Sequence, residues 1–379
     1  MVKLTPPMGW NSWNTFGANI SEELIFEIAD RMVEDGYLDA GYEYVVIDDC
    51  WSLRERDANG RLVPDPKKFP HGMKYVADYI HAKGLKFGMY SCAGMLTCAG
   101  YPGSMDHEFI DAATFAEWEV ALLKYDYCFN SRIIAGEYLY RRMGLALENC
   151  GRDILLSCCT WGVDQTHEWV KTTASSMWRS TTDIFDNWDS IKNLIKVQEP
   201  IHAYNGVGCF NDMDMLIVGM NGEGNVGLGG CTYDQYKLHF SAWCFFGSPL
   251  MIGCDIRKIS EAERNILLNK ELIKICQDPA CRQPFRMRPL LTTEDDYVYA
   301  KFLSDGDIIL AMFNVNEEKE GGIRMTIDEL SLPMTTGKTL KMINLWTGEE
   351  EEIVKNAAIN RGVPPCGCLI YRCKVVDIQ

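Results

Sequence analysis

Leu122-Leu123-Lys124-Tyr125-Asp126-Tyr127-Cys128 reads as a buried strand that ends abruptly in charge. On an extended segment, residues two apart point to the same side, so Lys124 and Asp126 share a face. At the carboxyl end of a barrel strand such a face meets a pocket, where the ammonium keeps the carboxylate ionised. Taken alone, a structural salt bridge would look the same. Four further segments repeat the order of an apolar run followed by polar or acidic residues. They are Tyr44-Val45-Val46-Ile47 before Asp48-Asp49-Cys50-Trp51, Phe87-Gly88-Met89-Tyr90 before Ser91-Cys92, Met177-Trp178-Arg179 before Ser180-Thr181-Thr182-Asp183, and Phe210 to Met215 before Leu216-Ile217-Val218. Polar groups gathered at strand ends suit a sugar pocket, because each hydroxyl needs a partner once water is excluded.

From residue 8 to residue 278, short apolar runs alternate with longer segments of helical period, eight times over. The runs lie near residues 8–13, 43–48, 86–91, 121–126, 154–159, 176–180, 214–218 and 249–255. Between them fall stretches such as Glu22 to Asp35, Met73 to Ala82, Ile134 to Asn149, Trp188 to Val197 and Tyr233 to Phe246, with apolar residues at three- and four-residue steps. Eight strand–helix units over roughly 270 residues match the size and count of a parallel (β/α)8 TIM barrel. A doubly wound open sheet is the alternative, but no glycine-rich phosphate turn follows an early strand. From Phe285 the pattern becomes short β runs separated by Gly, Asp and Asn turns: 297–302, 307–313, 323–327, 340–346 and 368–372. The expected organisation is therefore a barrel over residues 1–284 and a C-terminal antiparallel β-sandwich domain over residues 285–379, packed against it.

The 379 residues carry a formal net charge of −16, which argues against nucleic acid and anionic membranes as partners. The first eight residues hold no signal-peptide core, and no later run is long enough to span a membrane. A cytoplasmic protein is expected. The sixteen cysteines are scattered through apolar runs such as Ser157-Cys158-Cys159, as small buried hydrophobes in a reducing compartment would be. No metal site is expected, since Cys366 and Cys368 are too close for the usual zinc spacing and no paired His motif appears.

With these motifs in order, the chain resembles glycoside hydrolase family 27, the α-galactosidases and α-N-acetylgalactosaminidases. The resemblance runs from Pro7-Met8-Gly9-Trp10-Asn11-Ser12-Trp13 through Ile47-Asp48-Asp49-Cys50-Trp51, Cys98 to Ser104, Lys124 to Cys128, Trp178 to Asp183 and Asn211 to Leu216, to Pro249-Leu250-Met251-Ile252-Gly253-Cys254-Asp255. It implies a barrel with a C-terminal β domain. It also implies Asp126 as nucleophile and Asp183 as general acid/base. A retaining glycosidase needs one ionised carboxylate below the anomeric carbon and a protonated one beside the leaving oxygen, and Lys124 suits Asp126 to the first role. Asp183 also fits a helix N-cap, because a helical stretch follows it.

By the same resemblance Asp48 and Asp49 hold the sugar's 4- and 6-hydroxyls. Trp13, Trp51, Tyr90 and Trp161 would form aromatic walls, and Lys124, Arg179, Asp214 and Met215 would contact the ring. Cys98 lies at the sugar and matches a family disulfide with Cys128; in a reducing cell the two could equally stay as adjacent thiols. Three departures stand out. The family's Asn-Asp-Pro-Asp is Asn211-Asp212-Met213-Asp214 here, and the partner of Cys50 is missing near Phe16-Gly17-Ala18. The family's Cys-Glu-Trp is Cys159-Thr160-Trp161, and that Glu meets the sugar's 2-hydroxyl in α-galactosidases. Thr160 is thus expected to face the 2-position and to leave room for an acetamido group. The leading expectation is a cofactor-free, retaining exo-α-galactosidase acting on a small α-galactoside or oligosaccharide. An α-N-acetylgalactosaminidase, a non-catalytic sugar-binding barrel and a metal-dependent lyase are the alternatives. A homo-oligomer is compatible with the sequence.

Overall fold

Eight short parallel strands form the catalytic layer of the computed structural model, which describes residues 5–130, 133–288, 294–332, 334–352 and 359–378. They are β1 (Met8–Asn11), β2 (Tyr44–Val46), β3 (Lys86–Cys92), β4 (Leu122–Asp126), β5 (Leu155–Cys159), β6 (Ser175–Arg179), β7 (Phe210–Asp212) and β8 (Leu250–Ile252). The order is β7-β6-β5-β4-β3-β2-β1-β8, and Leu216 closes the ring by bridging to Ile252. Its N–H donates to Met251 O at 2.7 Å, and its carbonyl accepts from Gly253 N–H at 2.9 Å. Both faces of the strands are buried, so they read as continuous apolar runs.

The seventh strand departs from the expected 214–218. Asp214 has φ 78°, a left-handed conformation that interrupts extended backbone, and its N–H turns back to Asp212 Oδ1 at 2.9 Å. The apolar run is thereby split into a strand at 210–212 and a single closing bridge at Leu216.

Helices Glu22–Glu34, Gly72–Ala82, Gly136–Glu148 and Trp188–Lys196 cover the barrel where three- and four-residue periodicity places them. Their caps follow from sequence: Ser21 Oγ accepts from Leu24 N–H and Asn187 Oδ1 from Ser190 N–H. Asn187, rather than Asp183, is thus the cap of helix Trp188–Lys196. Among the described residues, no helix is long and apolar enough to cross a membrane.

Antiparallel structure begins with β9 (Phe285–Met287) and continues through β10 (Asp296–Phe302), β11 (Ile308–Asn314), β12 (Gly321–Met325), β13 (Lys338–Asn344), β14 (Glu350–Glu352), β15 (Ile359–Val363) and β16 (Cys368–Asp377). Six strands form one sheet, β14-β13-β16-β11-β10-β9, and β12 pairs with β15 in a second. Alternation along β10 divides two cores. Val298 and Ala300 face the β12–β15 pair, whereas Tyr297 and Tyr299 face the barrel. There they meet helix Tyr233–Phe246, with Phe246 at 5.2 Å from the Tyr299 ring and Phe245 O accepting from the buried Lys301 ammonium at 3.1 Å. That helix is buried on almost every side, because it serves both domains.

Candidate active site

Period-two alternation decides which side chains reach the barrel mouth. Lys124 and Asp126 on β4 pair in register with Tyr90 and Cys92 on β3 and with Ser157 and Cys159 on β5. Tyr90, Lys124 and Asp126, with Arg179 from the end of β6, line a cavity of about 490 Å3. Trp13, Asp48, Asp49, Cys98, Trp161, Asp183, Asp214 and Met215 complete its wall together with Asn14, Ile184 and Val226.

Asp126 sits at the foot, 5% exposed. Its Oδ1 accepts from Tyr127 N–H at 2.9 Å and its Oδ2 from the Tyr90 hydroxyl at 3.0 Å, so both oxygens are fixed. Burial pushes the carboxyl up to about 6, against the opposing pull of Lys124. Lys124 does favour the ionised form, as the sequence leads one to expect, but desolvation outweighs its pull, and the ammonium's hydrogen bond goes elsewhere. Lys124 Nζ donates to Asp48 Oδ2 at 2.8 Å, an oxygen that also accepts from Asn11 Nδ2 at 2.7 Å. Burial alone would lower the Lys124 ammonium, yet Asp48, with Cys159 and Asp126 behind it, carries it above its ordinary value.

Asp48 and Asp49 project from the loop after β2. Asp48 N–H is held by Ser12 Oγ at 3.0 Å, and Asp49 accepts from Cys50 N–H at 2.6 Å and Ala99 N–H at 3.0 Å. Burial raises Asp49 despite those two backbone donors. The adjoining Cys50 takes φ 71°, which turns the chain sharply beneath the pair.

On the opposite wall Arg179, 3% exposed, joins two carboxylates. Nη2 reaches Asp183 Oδ1 at 3.0 Å and Nη1 reaches Asp214 Oδ1 at 2.9 Å. Asp214 Oδ2 accepts from Ile184 N–H at 2.7 Å, so β6 and β7 are tied through one guanidinium. Burial pushes Asp214 upward against Arg179. Asp183 differs, because its side chain is 62% exposed and burial's upward push is outweighed by Arg179, which holds it below the ordinary carboxylate range.

The walls are aromatic at Trp13, Tyr90 and Trp161, but Trp51 lies outside the lining. Its Nε1 donates to Tyr90 O at 3.0 Å and its ring meets Trp118 edge-on, so it supports Tyr90 from behind. Cys98 is bonded to Cys128 in a disulfide at the cavity's edge. Thr160 also lies outside, which corrects the expectation for the 2-position. On β5 the inward residues are Ser157 and Cys159, so Thr160 points outward; it is fully buried, and its hydroxyl pairs with Thr166 Oγ1 at 2.5 Å. Trp161 returns to the cavity only because it and Gly162 take φ 57° and 74°. Cys159, missed in the sequence, is the residue of this strand that faces the charges, with Sγ 3.8 Å from Arg179 Nη1.

Asn14, Ile184 and Val226 were also missed. Val226 N–H bonds to Asn14 O at 3.0 Å, and the loop around it folds about the buried Asp186, whose Oδ2 accepts from Gly222 N–H at 2.6 Å and Oδ1 from the Tyr236 hydroxyl at 2.8 Å. No local periodicity announces such a loop; the only sequence signal is an acid, Asp186, followed by a glycine-rich segment at 219–230.

Comparison with known proteins agrees with this architecture. Residues 5–278 match the family described as alpha galactosidase A, and residues 293–373 match the alpha galactosidase C-terminal beta sandwich domain. Alpha-galactosidase 3 of Arabidopsis thaliana is 42% identical over 93% of this chain and 78% of its own length. The crystal structure of alpha-galactosidase I from Mortierella vinacea superposes with a TM-score of 0.90 at 32% identity, covering 99% of this chain and 98% of that one. The alpha-galactosidase of Saccharomyces cerevisiae determined with raffinose gives 0.87 at 30% identity, with 98% of each chain covered.

The outward placement of Thr160 has a direct consequence. Thr160→Glu puts an unpaired carboxylate against Thr166 and should cost about 3–5 kcal/mol in urea unfolding followed by tryptophan fluorescence. Unchanged stability would mean that the new side chain has reached the solvent of the cavity, and that β5 carries the opposite alternation.

Proposed function

The chain belongs to the α-galactosidase family, glycoside hydrolase family 27, and from that premise we propose that it releases terminal α-D-galactose from small α-galactosides with retention of configuration. The observation that carries this reading is one cavity holding two carboxylates in contrasting settings: Asp126 fixed and buried at the foot, Asp183 exposed at the side. In the first step Asp126 attacks the anomeric carbon while Asp183 protonates the departing glycosidic oxygen. In the second, Asp183 takes a proton from water, which displaces Asp126 and leaves α-galactose. Asp48 and Asp49 accept bonds from sugar hydroxyls, Lys124 and Arg179 donate to them, and Trp13 and Trp161 pack on apolar sugar faces. The raffinose bound to the yeast relative supports a short oligosaccharide as substrate. Fourteen cysteines outside any disulfide support a reducing, cytoplasmic setting.

The α-N-acetylgalactosaminidase alternative rested on Thr160 opening space at the 2-position. With Thr160 turned away, that support is gone.

Hydrolysis of a panel of nitrophenyl α- and β-glycosides tests the substrate, and proton NMR of the first product tests the mechanism. α-Galactose should appear before mutarotation, and Asp126→Asn should lower kcat by several orders of magnitude at unchanged fold. Initial release of the β-anomer, or near-normal turnover in the variant, contradicts the assignment.

The pH profile follows from the two carboxyls. Catalysis needs one proton on the pair, and the pair holds one proton between the depressed value of Asp183 and the value of about 6 at Asp126. kcat/KM should therefore rise below the ordinary Asp range and fall again through about pH 6, as the last proton leaves. A plateau that runs on past neutrality would show that Asp126 is not the group titrating there.

A further inference from the structure

Asp126 has neighbours that the hydrolytic mechanism does not use. Cys98 Sγ, Cys128 Sγ and an Asp126 oxygen all lie within 4.8 Å of one another. The sulfurs are now one bond apart, but their Cα atoms stand 5.2 Å apart, so after reduction side-chain rotation can open them to the about 3.8 Å that two thiolates on tetrahedral zinc need, given Zn–S bonds of about 2.3 Å. The sulfurs are joined at present, but Cys98 is exposed and within reach of a reductant, and exposed disulfides are the readily reduced ones.

The two segments that carry the sulfurs are held together without the S–S bond. Gly94 packs so closely that a Cβ there would stand 2.0 Å from Cys128 O, and a Cβ on Gly103 would stand 2.2 Å from Gly94 O. Ala93 N–H bonds to Asp126 O at 2.8 Å and Cys92 Sγ to Cys128 O at 3.2 Å. Ser91 and Ser104 share a hydroxyl bond at 2.6 Å, and Ala99 N–H is anchored on Asp49. Reduction therefore leaves both thiols beside Asp126. The surroundings favour a cation as well: five carboxylates face the cavity, Asp48, Asp49, Asp126, Asp183 and Asp214, against two cationic groups, Lys124 and Arg179.

We propose that reduction of the Cys98–Cys128 disulfide turns the foot of the cavity into a thiophilic divalent-metal site, with Cys98, Cys128 and Asp126 as ligands, so that zinc bound there silences the enzyme. A dithiol supplies two electrons and two protons: it closes to a cyclic disulfide while the protein's S–S bond becomes two thiols. Metal capture then releases both thiol protons to solvent. Asp126 leaves the reaction because its carboxylate is coordinated, and water keeps the fourth position. The inhibitory half of the proposal rests on Asp126 being the nucleophile, whereas the metal-binding half does not.

The test uses the full chain, either oxidised or reduced with dithiothreitol and desalted under argon. Cobalt(II) is the spectroscopic probe, through its thiolate charge-transfer band, and zinc is the competitor. Reduced protein should bind one cobalt per chain beyond any taken up by the oxidised protein, and zinc should displace it. At zinc ten times its Kd, hydrolysis of nitrophenyl α-galactoside should fall about tenfold, and a chelator should restore it. Reduced Cys128→Ser, with its fold checked by circular dichroism, should lack the extra cobalt, and its rate ratio with and without zinc should stay near one within each preparation. Asp126→Asn should weaken cobalt binding by roughly tenfold or more. Equal cobalt uptake by oxidised protein, or by reduced Cys128→Ser, overturns the site. Cobalt binding with undiminished hydrolysis overturns the role of Asp126 in it. If the oxidised protein hydrolyses no galactoside, the functional reading fails by itself while the cobalt band still decides the metal site.

Discussion

An unequal charge count at the barrel mouth governs the rest of the site. Five cavity carboxylates share two cations, and a sixth, Asp212, lies just beneath with its carboxyl pushed up to about 6 by burial. Lys124 is spent on Asp48, and Arg179 is divided between Asp183 and Asp214. Asp126 receives neutral donors, a hydroxyl and a backbone N–H, in a dry place. The uncompensated negative charge is costly in the free protein, and it becomes favourable when positive charge develops on the sugar ring. The proposed mechanism requires bound substrate to reverse the order of the two carboxyls. A sugar bound in the cavity would cover Asp183, whose exposed side chain would lose the water that helps ionise it, while charge at the anomeric carbon would favour ionised Asp126.

The scaffold needed to hold such a cluster is correspondingly rigid. Each charged side chain stands at a strand end or one turn beyond it, and the turns that aim them take left-handed backbone at Cys50, Trp161 and Asp214. Strain of that kind persists where surrounding contacts enforce it. For Asp214 the contacts are Ile184 N–H, Arg179 and the Trp243 indole, which donates to Asp214 O at 2.6 Å. Trp243 belongs to the helix wedged between barrel and sandwich, as does Tyr236, whose hydroxyl holds Asp186 beneath the Val226 loop, so this helix links the C-terminal domain to the site.

Much of this was readable from residue order. The Lys124-Tyr125-Asp126 spacing set two side chains on one face, and the same rule of two, carried across the ladder to Ser157 and Cys159, identifies Cys159 as inward and Thr160 as outward. Motif alignment alone put Thr160 at the sugar because it compared positions without asking which way each side chain leaves the strand. The partner of Lys124 was not readable, since Asp48 lies 76 residues away, on the loop after β2, and only the closed barrel brings them to 2.8 Å. Burial likewise belongs to the assembled fold, and it reversed the expected shift at Asp126. The seventh strand was misplaced by four to six residues because an apolar run spans a left-handed turn that hydrophobic pattern does not register.

The central claim is that Asp126, seated between Tyr90 and Tyr127, becomes covalently bound to the sugar. A fluorinated galactosyl fluoride slows release of such an intermediate more than its formation, and mass spectrometry of the digested protein then locates the ester. The account predicts a single galactosyl adduct on the peptide containing Asp126. An adduct on the peptide containing Asp183, or continued turnover with no adduct at any carboxylate, would contradict it.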